Sequence, residues 1–326
     1  MKILVTGGAG YIGSVVSAEL LRAGHQVAIY DNLSHGHRRA VPRGAEVITG
    51  DVGDREALDR AFQQHRPEAV MHCAALIEAG ESMQAPERYF RTNTATTLTL
   101  LECMLQHGTG RLVFSSTAAL YGNPERTPIE EDAPLRPTNA YGESKLLVER
   151  MLAWFHQIHG LRYASLRYFN AAGAAGELGE DHRPESHLIP LVLQVAQGKR
   201  PGIAIYGADY DTPDGTCVRD YIHVVDLAAA HLLALDALAG REQLIYNLGN
   251  GRGFSVRQVV EVARRVTGHA IPAGNAPRRP GDPAVLVASS EKIRRELGWR
   301  PRNLELEQIV ASAWEWRRRH PNGYGE

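Results

Sequence analysis

Ile3-Leu-Val-Thr-Gly-Gly-Ala-Gly-Tyr-Ile-Gly13 is a short apolar run that breaks into a glycine-rich turn and resumes as an apolar-periodic segment. Ile12, Val15, Val16, Leu20 and Leu21 recur at helical spacing as far as Gly24, so the stretch reads as strand, tight turn, helix. The glycines satisfy G-x-G-x-x-G counted from Gly8 and G-x-x-G-x-x-G counted from Gly7. Such a turn lets backbone N–H groups and the helix dipole approach a pyrophosphate, which makes Gly7, Gly10, Tyr11, Ile12 and Gly13 candidates for dinucleotide contact. A second strand, 27–30, ends at Asp31-Asn32. A carboxylate there accepts hydrogen bonds from both ribose hydroxyls and repels a 2′-phosphate, so NAD is expected rather than NADP.

Working outward, strand and helix patterns alternate: 46–48, a helix over 55–65, 69–73, a long helix over 87–107, and 111–115. The alternation predicts an α/β fold with a parallel, doubly wound sheet. Asp51-Val52 follows the third strand, where Asp51 either receives an adenine amine or forms the turn. Ala74 and Ala75 follow the fourth, where small side chains admit a cofactor or simply pack closely. Asn93 interrupts an apolar helix, as a cofactor contact or as a satisfied buried amide. Ser115-Ser-Thr117 puts hydroxyls at a strand's carboxyl end, the usual ligand edge of such sheets. After a proline-rich loop, 124–137, Thr138 or Asn139 caps a helix carrying Tyr141 and Lys145. Positions four apart share a helix face, and a lysine beside a phenol favours the phenolate, so the pair reads as an acid/base device.

With 36 Lys and Arg against 37 Asp and Glu, no global field favours nucleic acid or an anionic membrane. Three dispersed cysteines form no C-x-x-C and fit a reducing cytoplasm, where the protein is expected to reside. The start of the chain lacks the pattern of an export signal, and no apolar run approaches a membrane span. No metal is expected.

In this order, the glycine turn, Asp31, Thr117 and Tyr141-x-x-x-Lys145 resemble the extended short-chain dehydrogenase/reductase superfamily. Leu166-Arg-Tyr-Phe-Asn170, Gly215-Thr-Cys-Val-Arg-Asp-Tyr-Ile-His223 and Pro277-Arg-Arg-Pro-Gly-Asp282 resemble signature segments of the UDP-glucose 4-epimerase family, and the similarity spans essentially the whole chain. The resemblance implies a Rossmann-like NAD-binding domain over 1–170, joined by segments around 224–248, and a smaller C-terminal UDP-sugar-binding lobe over 171–326. It implies reversible 4-epimerisation of UDP-glucose and UDP-galactose through a 4-keto sugar with tightly held NAD, by a homodimer. Tyr141 would be the acid/base and Lys145 would lower its pKa and hold the nicotinamide ribose, while Thr117 would bind the 4-oxygen. Phe169 would join the cofactor contacts. Where related dehydratases carry an acidic pair after the threonine, this chain has Ala118-Ala119, so no general acid for elimination stands there.

In the second half, Asn170, His187 and Leu188 fall at family positions near the nucleotide, with His187 where asparagine is frequent. Arg219 and Arg279 are the expected diphosphate cations, since a planar guanidinium binds two oxygens at once; outside the resemblance each reads as a surface arginine. Tyr206 stacks on uracil or packs in the core, and Asp282 holds the UDP ribose or is a loop carboxylate. Leu286 stands where some relatives place a confining tyrosine, which would admit UDP-N-acetylhexosamines. Ile77 replaces a lysine that some members place beside the nicotinamide. Alternatives are an oxidoreductase that releases NADH, or a 4-epimerase of UDP-glucuronate or a UDP-pentose. Helices are expected at 191–197, 224–235, 289–300 and 306–318, and strands at 202–206 and 244–248, the last returning to the main sheet.

Overall fold

The first half alternates strand and helix as the sequence pattern dictates. β1 (Lys2–Thr6), α1 (Tyr11–Arg22), β2 (Gln26–Asp31), β3 (Glu46–Thr49), α2 (Arg55–His65) and β4 (Ala69–His72) open the chain. Two short helices, α3 (Ala79–Ser82) and α4 (Pro86–Tyr89), lead through a π-helical turn (Phe90–Ala95) into α5 (Thr96–Gln106). β5 (Arg111–Thr117), α6 (Ala140–His159) and β6 (Arg162–Tyr168) follow. The computed structural model describes residues 1–279 and 282–325, so Pro280 and Gly281 of the 277–282 segment lie outside the described residues.

The second half contains β7 (Asn170–Ala172), α7 (Leu188–Ala196), β8 (Ile203–Tyr206), β9 (Val218–His223), α8 (Val224–Ala237) and β10 (Gln243–Leu248). β11 (Gly253–Ser255), α9 (Val256–Thr267), β12 (Ala273–Ala276), β13 (Val285–Leu286), α10 (Glu291–Leu297) and α11 (Leu306–Arg319) complete it.

Seven parallel strands form one sheet in the order β10-β6-β5-β4-β1-β2-β3. β10 does return to it, beside β6. The winding direction reverses between β1 and β4, and the crevice at such a switch point is where open α/β sheets receive ligands. Leu4, Val5, Val70 and Met71 are fully buried, as both-face coverage by helices requires. One face packs on α1 and α8, through Val15, Val16, Leu227 and Ala228. The other packs on α2, α5 and α6, through Phe62, Leu101 and Leu152. β7, β9, β11 and β13 form a smaller sheet, β8 pairs with β12, and a third core joins α7, α9 and α11. Trp314 and Trp316 of α11 are packing residues, as their helical pattern suggests.

The predicted long helix over 87–107 is divided by the π-helical turn. The threonine-rich sequence explains it: Thr96 Oγ1 donates to the Thr92 carbonyl, Thr97 Oγ1 donates to the Asn93 carbonyl at 2.6 Å, and the Asn93 side chain is drawn off to other elements. Hydroxyls that bond back to the preceding turn widen a helix locally.

Candidate active site

The glycine turn is fixed by steric contact. Gly7 has φ +71°, and a Cβ placed on it would lie 2.5 Å from the Ala74 nitrogen, so the segment after β4 packs directly on the turn. A Cβ on Gly13 would lie 2.2 Å from the Gly7 carbonyl oxygen. Of the two glycine patterns, Gly7, Gly10 and Gly13 therefore shape the turn, while Gly8 makes room for Ile29 of β2. Gly10 caps α1 without a side chain. The helix start thus presents backbone N–H groups to the switch point, the arrangement that binds a pyrophosphate.

Asp31 ends β2 and is only 7% exposed. Its Oδ2 accepts from Ala9 N at 2.9 Å and its Oδ1 from Leu33 N at 2.8 Å, which ties the turn to β2. Burial raises its pKa, against the two N–H groups. Each carboxylate oxygen keeps a lone pair for a ribose hydroxyl. Asn32 Nδ2 donates to Asp51 Oδ2 at 2.7 Å, so Asp31, Asn32 and Asp51 form one edge. Asp51 also forms its turn, through Gly53 N at 2.8 Å, and Val52 is buried beside it. A glycine cradle with no room for side chains, followed by a carboxylate at the end of the second strand, fits an adenine dinucleotide that lacks a 2′-phosphate.

Thr117 ends β5, is 8% exposed, and its Oγ1 accepts from Ala119 N at 3.1 Å. Asn139 is the cap of α6: its Oδ1 accepts from Gly142 N at 2.8 Å, which sets the start of the helix and the height of Tyr141. Lys145 is 3% exposed; its ammonium donates to the Ser115 carbonyl at 2.9 Å and lies 4.8 Å from the Phe114 ring centre. Burial pulls the Lys145 pKa down to about 8. Burial raises that of Tyr141, with the neighbouring Thr117 side chain opposing and the Glu78 charge assisting. The spacing alone suggested that Lys145 lowers the pKa of Tyr141. Here its charge is turned to the β5 backbone, and the phenol is held neutral.

Asn93 is a satisfied buried amide: it accepts from Leu76 N at 2.8 Å and donates to Leu76 O and Ser144 Oγ, each at 3.0 Å. It reaches the site only by locking the segment after Ala74-Ala75 to α6. Tyr11 donates to the Gly173 carbonyl at 2.7 Å, and Ile12 packs on the first core. Phe169 N donates to Leu248 O at 3.2 Å, and Asn170 Nδ2 donates to Asp220 O at 2.9 Å.

Farther along, Arg219 pairs with Asp282, and Leu286 stands opposite Arg219 where β13 meets β9. Tyr206 is 38% exposed, with the Arg279 guanidinium 4.1 Å from its ring centre, so it is not a core residue. His187 caps α7 with its backbone, and its ring nitrogen Nδ1 lies 2.9 Å from Glu180 and 3.1 Å from Glu185. That cluster went unread in the sequence, although Glu180-x-His182-x-x-Glu185-x-His187 is a visible signal. Burial lowers the His187 pKa, but Glu180, by charge and hydrogen bond, and then Glu185 outweigh it and hold it well above the usual value.

Residues 3–249 match the NAD dependent epimerase/dehydratase family. The chain belongs to that family. It is 56% identical to the UDP-glucose 4-epimerase of Streptomyces lividans over all of this chain and 98% of that protein. The structure of the Brucella ovis UDP-glucose 4-epimerase in complex with NAD superposes with a TM-score of 0.94 at 44% identity, covering 96% of this chain and 97% of that one. The Bifidobacterium longum enzyme in complex with NAD+ and UDP superposes with a TM-score of 0.95 at 39% identity, over 99% and 100% of the two chains. Among the described residues of this epimerase/dehydratase-family chain, no helix is long and apolar enough to cross a membrane.

Proposed function

We propose that this chain is an NAD-dependent UDP-glucose 4-epimerase, interconverting UDP-glucose and UDP-galactose. The observation that carries the reading is the placement of Thr117 at the end of β5, with the buried Lys145 ammonium on the Ser115 carbonyl of that strand and Tyr141 one turn earlier on α6, at the carboxyl edge of a sheet whose switch point holds the glycine cradle and Asp31. Gly7, Gly10, Tyr11, Ile12 and Gly13 would hold the pyrophosphate; Asp31, Asn32, Asp51 and Val52 the adenosine; Ala74, Ala75, Lys145 and Phe169 the nicotinamide half. Bound NAD supplies a hydride acceptor at the sugar's C4 and gives the hydride back.

Tyr141 takes the proton of the sugar 4-hydroxyl and returns it, and Thr117 orients that oxygen between the two steps. Lys145, with its ammonium on the Ser115 carbonyl, would hold the nicotinamide ribose, and the charge that ionises the phenol would come from the bound cofactor. Ala118 and Ala119 carry no proton donor, so the keto sugar has no route to elimination and turns over within the site. Asn170, His187, Leu188, Tyr206, Arg219, Arg279 and Asp282 form the UDP side, where the arginines meet the diphosphate.

The test is to incubate purified protein with UDP-galactose, without added NAD, and resolve the products. UDP-glucose is the expected product; no conversion, even after NAD is supplied, overturns the reading. Leu286 is smaller than tyrosine and donates no hydrogen bond, which supports acceptance of UDP-N-acetylglucosamine. Turnover of that substrate, lost in Leu286→Tyr, is the expected outcome, and no turnover at saturation rejects it. A homodimer joined through α5 and α6 is also proposed. Trp154 and Ile158, one turn apart on α6, are 60% and 65% exposed, and Leu98 of α5 is 39% exposed. Light scattering at the mass of one chain rejects it.

A further inference from the structure

Outside the Thr117–Tyr141–Lys145 site, one group of side chains has ligand chemistry that the proposed reaction does not use. Glu180, His182, Glu185 and His187 each offer one donor atom, and the four atoms all lie within 4.8 Å of one another. Glu180 Oε1 lies 3.2 Å from His182 Nδ1 and 2.9 Å from His187 Nδ1, and Glu185 Oε1 lies 3.1 Å from His187 Nδ1. A tetrahedron with metal–ligand bonds of about 2.0–2.1 Å has edges of roughly 3.3 Å, so these separations are close to those of a formed site.

A second observation is independent of that spacing. The Glu185 side chain is 3% exposed, yet its Oε2 has no hydrogen-bond partner among the described residues. It is held there by a long ion pair with Arg317 at 3.6 Å. A buried carboxylate oxygen held only by a long ion pair gains from closer contact with a cation, and metal coordination supplies that contact. His187 is 36% exposed on its side chain, which provides an entry path for an ion.

We propose that Glu180, His182, Glu185 and His187 form a four-ligand site for a divalent transition-metal ion of the zinc type. Two imidazoles with two carboxylates suit zinc better than the all-oxygen shells of calcium or magnesium. Four protein ligands leave no open position, so the site is structural rather than catalytic. Its effect is mechanical. Tyr11 of the glycine turn is bonded to Gly173, the Trp316 indole to Glu177, and Arg317 to the Glu180 carbonyl, so the segment over 173–187 runs between the dinucleotide turn and α11. The metal fastens this segment to the start of α7, where, on the reading proposed above, His187 and Leu188 face the nucleotide.

The test uses the full chain with its bound cofactor, stripped with a chelator, dialysed against Zn2+ with a weak competing chelator present, and assayed by elemental analysis. Roughly one zinc per chain is expected, with a raised melting temperature, and both are lost in the His182→Gln/Glu185→Gln double variant. Zinc below roughly a tenth of an equivalent in the unmodified protein overturns the proposal, as does equal zinc in the double variant, which places the ion elsewhere. Cobalt substitution of the unmodified protein gives a check that needs no variant: an intense tetrahedral visible spectrum supports the site, and a weak octahedral one overturns it. None of these readouts involves sugar turnover, so failure here is distinct from failure of the epimerase assignment.

Discussion

Replacing Arg167 by leucine tests the buried network directly behind the Thr117 strand. Arg167 donates through Nε to both oxygens of Glu149 at 3.0 and 3.2 Å, through Nη2 to Oε2 at 2.6 Å, and through Nη1 to Tyr121 Oη at 2.9 Å and the Glu131 carbonyl at 3.1 Å. The two side chains are 3% and 6% exposed. Glu149 also accepts from Ser116 Oγ at 2.6 Å, one residue from Thr117. In Arg167→Leu the carboxylate stays in the interior with that hydroxyl as its remaining donor, a loss expected to be about 3–5 kcal/mol. For a chain of this length, at about 2.1 cal/mol/K of unfolding entropy per residue, this lowers the melting temperature by roughly 4–7 °C. The Glu149→Leu/Arg167→Leu double variant removes both charges and should recover at least about 2 kcal/mol of the loss, because the uncompensated charge causes most of it. Urea unfolding followed by tryptophan fluorescence measures both. A single variant within about 1 kcal/mol of the parent, or a double variant no more stable than the single, refutes the argument.

Tyr141→Phe should lower kcat by about 10²–10⁴ while NAD remains bound through purification, since only the proton-transfer atom is lost; turnover within a few-fold of the parent rejects Tyr141 as the acid/base. Gly13→Ala sets a Cβ 2.2 Å from the Gly7 oxygen, and the displaced turn should cost about 1–3 kcal/mol and leave the purified chain with little bound NAD, read from its absorbance after denaturation. Lys145 gives a pH signature in the cofactor-stripped protein. The unfolded chain keeps this proton to about pH 10.4, as a free lysine does. The folded chain releases it near 8 because of burial. Between those values the unfolded state binds more protons, so the group makes stability rise with pH, by about 3 kcal/mol across the window. Lys145→Met should flatten that rise relative to the parent, and parallel profiles would contradict it.

The parallel sheet was legible because most of its strands are short apolar runs, and the boundaries of the six strands read from them fall within a few residues of the structure, whereas β6, with Arg162 and Arg167, was quoted only in part and as a motif. The site geometry was legible where one backbone device fixes it, as with the glycine turn and Asp31, or the Asn139 cap and Tyr141. What escaped depends on long-range contacts. The π-helical turn needs, besides its local threonines, the Asn93 contacts with Leu76 and Ser144, partners that no local pattern discloses. β9 was quoted as a motif and not as a strand, because its charged Arg219 and Asp220 break the apolar pattern. Asp220 is nonetheless fully buried, and its carboxylate accepts from the backbone of Asn250, Gly251 and Ala288. That motif residue is therefore a tie between β9 and two distant segments, whereas its neighbour Arg219 faces Asp282.

The hardest feature to read was the state of the acid/base pair. Helical spacing brings Tyr141 and Lys145 to one face, but it does not say where the ammonium points. With its charge on the Ser115 carbonyl and its own pKa depressed to about 8, Lys145 contributes no resolved lowering to the phenol. Burial therefore pushes both groups towards their neutral forms. Ionising the phenol requires added positive charge within a few ångströms, where low dielectric makes each charge count heavily. A bound nicotinamide would supply that charge in its oxidised form and not in its reduced form. On the proposed reading Tyr141 would then be a base when a hydride can leave the sugar and an acid when the hydride must return, so the same buried pair would serve both halves of an epimerisation without any titratable group being added to the site.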